Sequence, residues 1–183
     1  DYPAALVGSG VIAPGLASDV TGTSTILTLI REAPLRDASV SNVATAEAHW
    51  GALTLLDAGG DAIRWARRAL HGGQAGFEDM EALAEAAAPG AGGLLFLPYL
   101  SGERFHPASR AQVFGLTAAH GPAELTRAVM EGVAFSVRHK LDAAGAARPE
   151  RIVAAGGGAR SALWLKIKSS LYGAPFVVPE EPE

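Results

Sequence analysis

The chain has 183 residues, of which 49% are hydrophobic and 19% charged, and it contains no cysteine. Disulfide-bonded scaffolds and cysteine-ligated zinc sites are therefore excluded. A formal net charge of −4 without a basic block argues against nucleic acid as a partner. No apolar run approaches the roughly 20 residues of a membrane span. Because the first residues also lack the pattern of a signal peptide, we expect no membrane partner and a cytoplasmic location.

The spacing of apolar and β-branched residues predicts a series of strands followed by strands that alternate with helices. The first half of the chain is predicted to form a hairpin over 16–29 with its tip at 21–24, a strand over 51–56, a helix whose face carries Ile63, Ala66 and Leu70, and a helix over 77–88. A buried strand over 94–100, a loop over 101–107 and a long helix over 124–141 follow. The last predicted elements are a strand over 151–155, a helix over 161–172 and a strand over 176–178. This order predicts one α/β domain over 1–183, a mixed sheet flanked by helices.

The tip of the predicted hairpin, Thr21-Gly22-Thr23-Ser24, is a candidate anion site. Backbone N–H groups at a glycine turn can converge on an anion, and the flanking hydroxyls add donors that suit a phosphoryl group. Turns of this composition more often only close a hairpin. The tip alone therefore leaves both interpretations open.

A second candidate is the bend Gly156-Gly157-Gly158, which lies between a predicted strand and a predicted helix. Without β-carbons, this backbone would let a ligand lie flat on it, and the following helix N-terminus would offer donors. The spacing matches neither a dinucleotide fingerprint nor a P-loop. The alternative is a flexible or tightly packed strand-to-helix turn without a ligand.

Asp1 is a third candidate, because a carboxylate can accept the proton of an attacking hydroxyl. A terminal aspartate is more often a solvated surface residue. The five histidines show no spacing typical of metal ligands, so no metal site built by the protein is predicted.

The chain carries the segments 1–12, 22–24, 94–104, 111–131 and 156–164 in that order. The most specific of them contains Ala111-x-Val113-x-Gly115-Leu116, followed after seven residues by Glu124-Leu125-x-x-Ala128-Val129-Met130-Glu131. Together these segments resemble the C-terminal domain of the FGGY carbohydrate kinases, in which they occur in the same order and this motif is the family's second signature. The segments 95–104 and 156–164 resemble the xylulokinase-like branch.

The resemblance implies a ribonuclease-H-like, actin-type ATPase domain that holds ATP and Mg²⁺ in a cleft against a second domain. It implies that Asp1 is the general base on a sugar hydroxyl. Gly22, Thr23 and Ser24 would meet the ATP phosphates, while Gly157, Gly158 and Ala159 would lie against the adenosine. Ser161 is a further candidate beside the nucleotide. The N-terminal domain and the extreme C-terminus of such a kinase are expected to lie outside this sequence.

The function implied by the resemblance is ATP-dependent phosphorylation of a sugar hydroxyl, with D-xylulose the best single substrate. Gluconate, ribulose, fuculose, glycerol and erythritol remain alternatives, since the sugar pocket would lie mainly in the other domain. By itself this chain is expected to be inactive. A noncatalytic nucleotide-binding module of actin type is a second hypothesis. The oligomeric state stays open, with a homodimer among the alternatives.

Overall fold

A computed structural model of the chain describes residues 2–104, 107–143 and 145–180, with Tyr2 described by its backbone alone. Its main feature is a six-stranded sheet. The strands of this sheet are β1 (Leu16–Thr21), β2 (Thr25–Arg31), β3 (Ser41–Ala44), β4 (Trp50–Leu56), β7 (Arg151–Ala155) and β8 (Phe176–Val177). Their order across the sheet is β3-β4-β2-β1-β7-β8. A small separate sheet pairs β5 (Leu95–Leu97) with β6 (Gln112–Phe114).

The large sheet is mixed, as the sequence predicts. Strands β1 and β2 form the predicted antiparallel hairpin, in which Thr21 pairs with Thr25. Strand β4 extends the antiparallel part beside β2, whereas β7 lies parallel to β1. The parallel pairing brings the carboxyl ends of β1 and β7 to the same edge of the sheet, because Val20 pairs with Ala155.

Five helices accompany the sheet in the described part of the chain. They are α1 (Tyr2–Gly8), α2 (Gly59–His71), α3 (Phe77–Ala86), α4 (Pro122–Ala143) and α5 (Ala162–Tyr172). Helix α4 is central, since it packs against α2, α3 and α5. None of the helices in the described ranges combines the length and the apolar character that a membrane crossing demands.

The sheet separates two apolar clusters, because successive side chains of a strand point to opposite faces. The larger cluster, which includes Leu29 of β2 and Ile152 of β7, packs against α2 to α5. The next residues along these strands, Ile30 and Val153, join Leu6 of α1 in a smaller cluster. Helices therefore flank the mixed sheet, which confirms that part of the predicted fold.

Two predicted elements are shorter in the structure than the sequence suggests. Helix α3 ends at Ala86, because Ala87 is extended and its carbonyl accepts a hydrogen bond from Arg127 of α4 at 3.0 Å. The predicted buried strand over 94–100 forms a ladder only over Leu95–Leu97, and Leu95 is exposed. Helix α1 and strands β3 and β6 were not predicted, since these short elements carry little periodicity.

Candidate functional site

The hairpin tip packs against the start of α2. The Gly22 and Thr23 carbonyls accept hydrogen bonds from the backbone amides of Gly60 and Asp61, at 3.1 and 3.0 Å. The first amides of a helix have no partner within the helix, so the tip satisfies two of them in α2. This approach requires glycine at position 60, because a β-carbon there would overlap the Gly22 carbonyl oxygen.

Donors at the tip remain available after this packing. The Gly22 amide is used within the turn, where it donates to the Ser24 carbonyl at 2.9 Å. By contrast, the amides and hydroxyls of Thr23 and Ser24 make no hydrogen bond to any residue in the described ranges, and Thr23 is exposed. Clustered amides and hydroxyls of this kind suit the oxygens of an anion.

The second glycine bend is more closed. Gly156 has φ of 77°, a backbone conformation that favours glycine, and the bend continues as a short 3-10 turn over Gly157–Arg160 before α5 begins. Within the bend, the Ala159 amide donates to the Gly156 carbonyl at 3.0 Å. The Ala159 amide and the Gly156 carbonyl therefore serve the fold of the bend itself.

The N-terminus of α5 is capped from inside the protein. The Ser161 hydroxyl accepts from the Trp164 amide at 3.1 Å, and a Glu81 carboxylate oxygen accepts from the Leu163 amide at 2.6 Å. These two contacts use amides that the sequence analysis expected to face a ligand. The prediction that this helix end offers its donors is therefore wrong for Leu163 and Trp164.

Thr21 brings the two bends together. It ends β1 directly before the hairpin tip, and its side chain packs under the second bend. A β-carbon at Gly158 would lie 2.6 Å from Thr21 Cβ, so the absence of a side chain at position 158 permits the contact. Two bends that are more than 130 residues apart in sequence are thus neighbours in space.

Between the bends lies a cavity of about 410 Å³, within the range of about 300–1,000 Å³ that is common for ligand pockets. It is lined by Thr21, Gly22, Gly60, Ile63, Arg64, Phe77, Glu78, Met80, Glu81, Thr126, Met130, Gly157, Gly158, Arg160, Ser161 and Trp164. Four predicted site residues, Gly22, Gly157, Gly158 and Ser161, are therefore brought to one cavity.

The other predicted site residues have different positions. Thr23 and Ser24 lie at the hairpin tip beside the cavity and are absent from its lining. Ala159 is buried and also does not line it. Asp1 lies outside the described residues, so its role stays a prediction.

Much of the cavity wall was missed by the sequence analysis. Apolar side chains from four helices form this wall, among them Ile63 of α2, Met80 of α3, Met130 of α4 and Trp164 of α5. In sequence, apolar residues at helical spacing indicate only a packed core. The Trp164 indole N–H donates to the Met130 carbonyl at 3.1 Å, which fixes the ring against α4.

Charged residues lie among the lining residues of the same cavity. Arg64 donates twice to one carboxylate oxygen of Asp61, at 2.9 and 2.7 Å, and both side chains are about half exposed. Arg160 and Glu78 also line the cavity. In the described ranges, no group of three or more His, Asp or Glu side chains comes together as a metal-ligand set.

Comparisons with known proteins agree on one family. The pattern of the FGGY family of carbohydrate kinases, C-terminal domain, matches residues 17–183. The chain is 34% identical to a xylulose kinase from Klebsiella pneumoniae over 94% of this chain and 37% of that enzyme. It is 31% identical to a gluconokinase from Bacillus subtilis over 97% of this chain and 38% of that enzyme.

A solved structure gives the same result for the fold. The crystal structure of xylulose kinase from Bifidobacterium adolescentis superposes on the whole of this chain and 37% of its own, with a TM-score of 0.88 and 31% identity. Structures of this kind have the actin-type ATPase fold, so the fold implied by the resemblance is confirmed. The chain spans somewhat more than a third of the length of these relatives.

Proposed function

Because this chain belongs to the FGGY family of carbohydrate kinases, we propose that it binds ATP between its two glycine bends as the nucleotide-binding part of a two-domain sugar kinase. One observation carries the proposal: both bends border a single cavity, and unpaired donors lie beside it. The N-terminal domain would supply the second wall of the cleft and most contacts to the sugar. The chain by itself would then bind ATP and have no kinase activity.

The hairpin tip suits the triphosphate. Amides and hydroxyls of Thr23 and Ser24 would donate to phosphate oxygens, since these groups have no partner within the described ranges. Exposed hydroxyls and amides bind an anion without requiring a lysine in the loop. The tip is also held rigidly from behind by α2, so little freedom would be lost when phosphate binds.

The apolar part of the cavity suits the nucleoside. Trp164, Met130 and Met80 offer a surface for a purine ring, which gains from contact with aromatic and thioether groups. Gly157 has open space where a side chain would otherwise stand, which would let the nucleoside approach the backbone. The closed second bend would thus act through its shape, and Ser161 and the neighbouring Ala159 would support it.

The chemistry proposed for the complete kinase is phosphoryl transfer to a sugar hydroxyl. ATP supplies the phosphoryl group, and Mg²⁺ bound to its oxygens neutralises charge that develops during transfer. The hydroxyl oxygen forms a bond to the γ-phosphorus as the bond from that phosphorus to the departing ADP oxygen breaks. Asp1 would accept the hydroxyl proton, the role that the family resemblance assigns to it.

D-Xylulose is our proposed substrate, converted to xylulose 5-phosphate. Xylulose kinases are prominent among the similar proteins, which supports this choice. A gluconokinase and a glycerol kinase are comparably similar, at 31% and 34% identity, so the same assay has to include other sugars and polyols. Gluconate, ribulose, fuculose, glycerol and erythritol form that panel.

The test compares the full-length kinase with its Asp1→Asn variant. We expect ATP-dependent phosphorylation of D-xylulose by the unmodified enzyme and a fall in kcat of about 10²–10⁴-fold in the variant. The Kd for Mg-ATP, measured by calorimetric titration, should hardly change, because the variant removes only the base.

Three outcomes would contradict parts of the proposal. Turnover retained by Asp1→Asn would remove the assignment of the base. Preference for another member of the panel would replace D-xylulose. Nucleotide binding without turnover on any sugar would favour the noncatalytic actin-type module.

A further inference from the structure

Behind the cavity wall lies a cluster of three polar side chains that water does not reach. Asp19 and Thr21 belong to β1, and Lys168 belongs to α5. Their exposed fractions are 2%, 1% and 1%. Lysine and aspartate are almost never buried this completely unless they are paired.

The ammonium of Lys168 is fully used by its surroundings. It donates to Asp19 Oδ1 and to Thr21 Oγ1, both at 2.7 Å. It also lies 4.6 Å from the centre of the Trp164 ring, one turn earlier on α5, where a cation is attracted to the aromatic face. A lysine ammonium has three N–H donors, and these three neighbours surround it.

Thr21 is oriented by the same cluster. Its hydroxyl accepts from Lys168 and donates to Asp19 Oδ1 at 2.7 Å, so rotation of the side chain would break both hydrogen bonds. This orientation matters for the cavity, because Thr21 lines it and packs under Gly158.

Stability alone does not explain a buried ion pair at this place. Removing two charges from water is costly, and apolar residues of similar volume often give a fold that is equally stable. Hydrogen bonds and ion pairs differ from apolar contacts in their directionality, which fixes the position of the groups they join. Here a hydrogen bond joins Lys168 to the wall residue Thr21, and the contact of the ammonium with the aromatic ring joins it to the wall residue Trp164.

We propose that Lys168 is a positioning residue for the nucleotide cavity, holding Thr21 and Trp164 at the spacing that the nucleotide requires. This inference rests on the proposed binding of ATP in that cavity. Lys168 does not line the cavity itself, so it acts through the two residues it holds.

The test is Lys168→Met in the full-length kinase, with Lys140→Met as the matched control. Lys140 is a second buried lysine, bound to Glu103 at 2.6 Å and to the Leu55 carbonyl at 2.8 Å, and it does not line the cavity. Each variant removes the lysine that pairs with a buried carboxylate, and each should therefore lower the melting temperature of the protein. Only Lys168→Met should raise the KM and the Kd for Mg-ATP, by roughly tenfold, since small displacements of binding groups are costly. The KM for the sugar should stay unchanged in both variants.

A double-mutant cycle tests whether Lys168 acts through Thr21. Thr21→Val keeps the ion pair and removes the hydroxyl, and it should also weaken binding of Mg-ATP. If the two residues act as a unit, the variant carrying both changes should bind about as weakly as Lys168→Met alone, because neighbouring sites are not additive. Independent, multiplicative losses of affinity would contradict the coupling.

If Lys168→Met fails to fold because Asp19 is left as an unpaired buried charge, a variant that removes both charges can be tested in its place. Asp19→Leu combined with Lys168→Met replaces the ion pair by apolar side chains, a change that folded proteins often tolerate. We expect this protein to fold and still bind Mg-ATP weakly. Normal affinity in either Lys168 variant would overturn the inference and leave the proposed function intact. If the unmodified kinase does not bind Mg-ATP at millimolar concentration, both the inference and the proposed function fail.

Discussion

The two glycine bends border the same cavity but use their polar groups in different ways. At the hairpin tip, carbonyl groups are used to hold α2, and the donors of Thr23 and Ser24 are left without partners in the described ranges. At the second bend the amides of Ala159, Trp164 and Leu163 are used, since they donate to the Gly156 carbonyl, the Ser161 hydroxyl and a Glu81 carboxylate oxygen. The tip therefore retains hydrogen-bond donors that suit a charged ligand, whereas the second bend contributes mainly the shape of the cavity wall.

This difference shows that glycine has two separate roles in the cavity. Gly60 allows another chain segment to approach, and so fixes the hairpin tip. Gly157 faces open space, and so leaves room for a ligand. Substitutions that add one methyl group at chosen glycines separate these roles, since the same chemical change meets protein at one position and empty space at another.

The largest effect is expected from Gly60→Ala. The new methyl group would overlap the Gly22 carbonyl, a backbone atom that cannot rotate away. We expect the free energy of unfolding in urea to fall by about 3 kcal/mol, near the upper end for overpacking. Affinity for Mg-ATP should fall as well, because the hairpin tip has to move.

Gly8→Ala is the control for this change. A β-carbon at Gly8 meets no atom within 4 Å, so its free energy of unfolding should stay within about 0.5 kcal/mol of the unmodified protein. Equal stability of Gly60→Ala and Gly8→Ala would show that the tip is not held by α2.

A smaller effect is expected at the second bend, where neighbouring glycines differ. At Gly158 a new β-carbon would lie 2.6 Å from Thr21 Cβ, whereas at Gly157 it meets nothing within 4 Å. Gly158→Ala should therefore cost about 2 kcal/mol of folding free energy, because Thr21 Cβ does not move when its side chain rotates and the backbone has to shift. Gly157→Ala should leave stability unchanged and weaken Mg-ATP binding by about tenfold, or about 1.4 kcal/mol.

This pair is measured by urea denaturation and calorimetric titration of the same two proteins. A loss of affinity without a loss of stability in Gly157→Ala is the result expected if the ligand lies against the second bend. If both properties of Gly157→Ala match the unmodified protein, the nucleoside does not lie against Gly157, and the bend has only a role in folding.

The sequence is sufficient to predict both bends but not what surrounds them. The hairpin tip and the Gly156-Gly157-Gly158 bend are local, because a glycine between two short apolar runs indicates a turn without knowledge of the rest of the chain. The matching order of segments also identified the family. Neither a local turn signal nor the order of segments contains the tertiary contacts that bring Gly60 to the tip or Glu81 to the start of α5.

The buried cluster shows why such contacts could not be predicted. Lys168 lies in a helix, where a lysine is expected on the solvated face, and its partner Asp19 is 149 residues away. Only the pairing of β1 with β7, and the packing of α5 on that side of the sheet, brings them together. The boundaries of short elements were equally uncertain: β5 covers three residues of a run of seven, since its one partner strand is itself three residues long.

The smallest effect is expected from Tyr172→Phe. This variant tests whether a change close to Asp19 can alter the stability of the protein without altering the binding of Mg-ATP between the two bends. The Tyr172 hydroxyl is buried and makes no hydrogen bond within the described ranges. Burial raises the pKa of Tyr172 well above its usual value near 10, and the negative charge of Asp19 raises it further. The folded protein therefore binds the phenolic proton more tightly than the unfolded chain does.

The sign of the pH dependence follows from this raised pKa. The contribution of neutral Tyr172 to stability is complete below about pH 10, the usual pKa, and is lost as the pH rises above it toward the folded value. Tyr172→Phe has no proton to lose, so its stability should decline less steeply above that pH.

At neutral pH the variant should be more stable by about 1 kcal/mol, because it no longer buries an unpaired hydroxyl. Affinity for Mg-ATP should not change, since Tyr172 does not line the cavity. A variant that is less stable at pH 7 would mean that the hydroxyl is paired, and a loss of ATP affinity would mean that the region behind the cavity cannot be altered independently of the two bends.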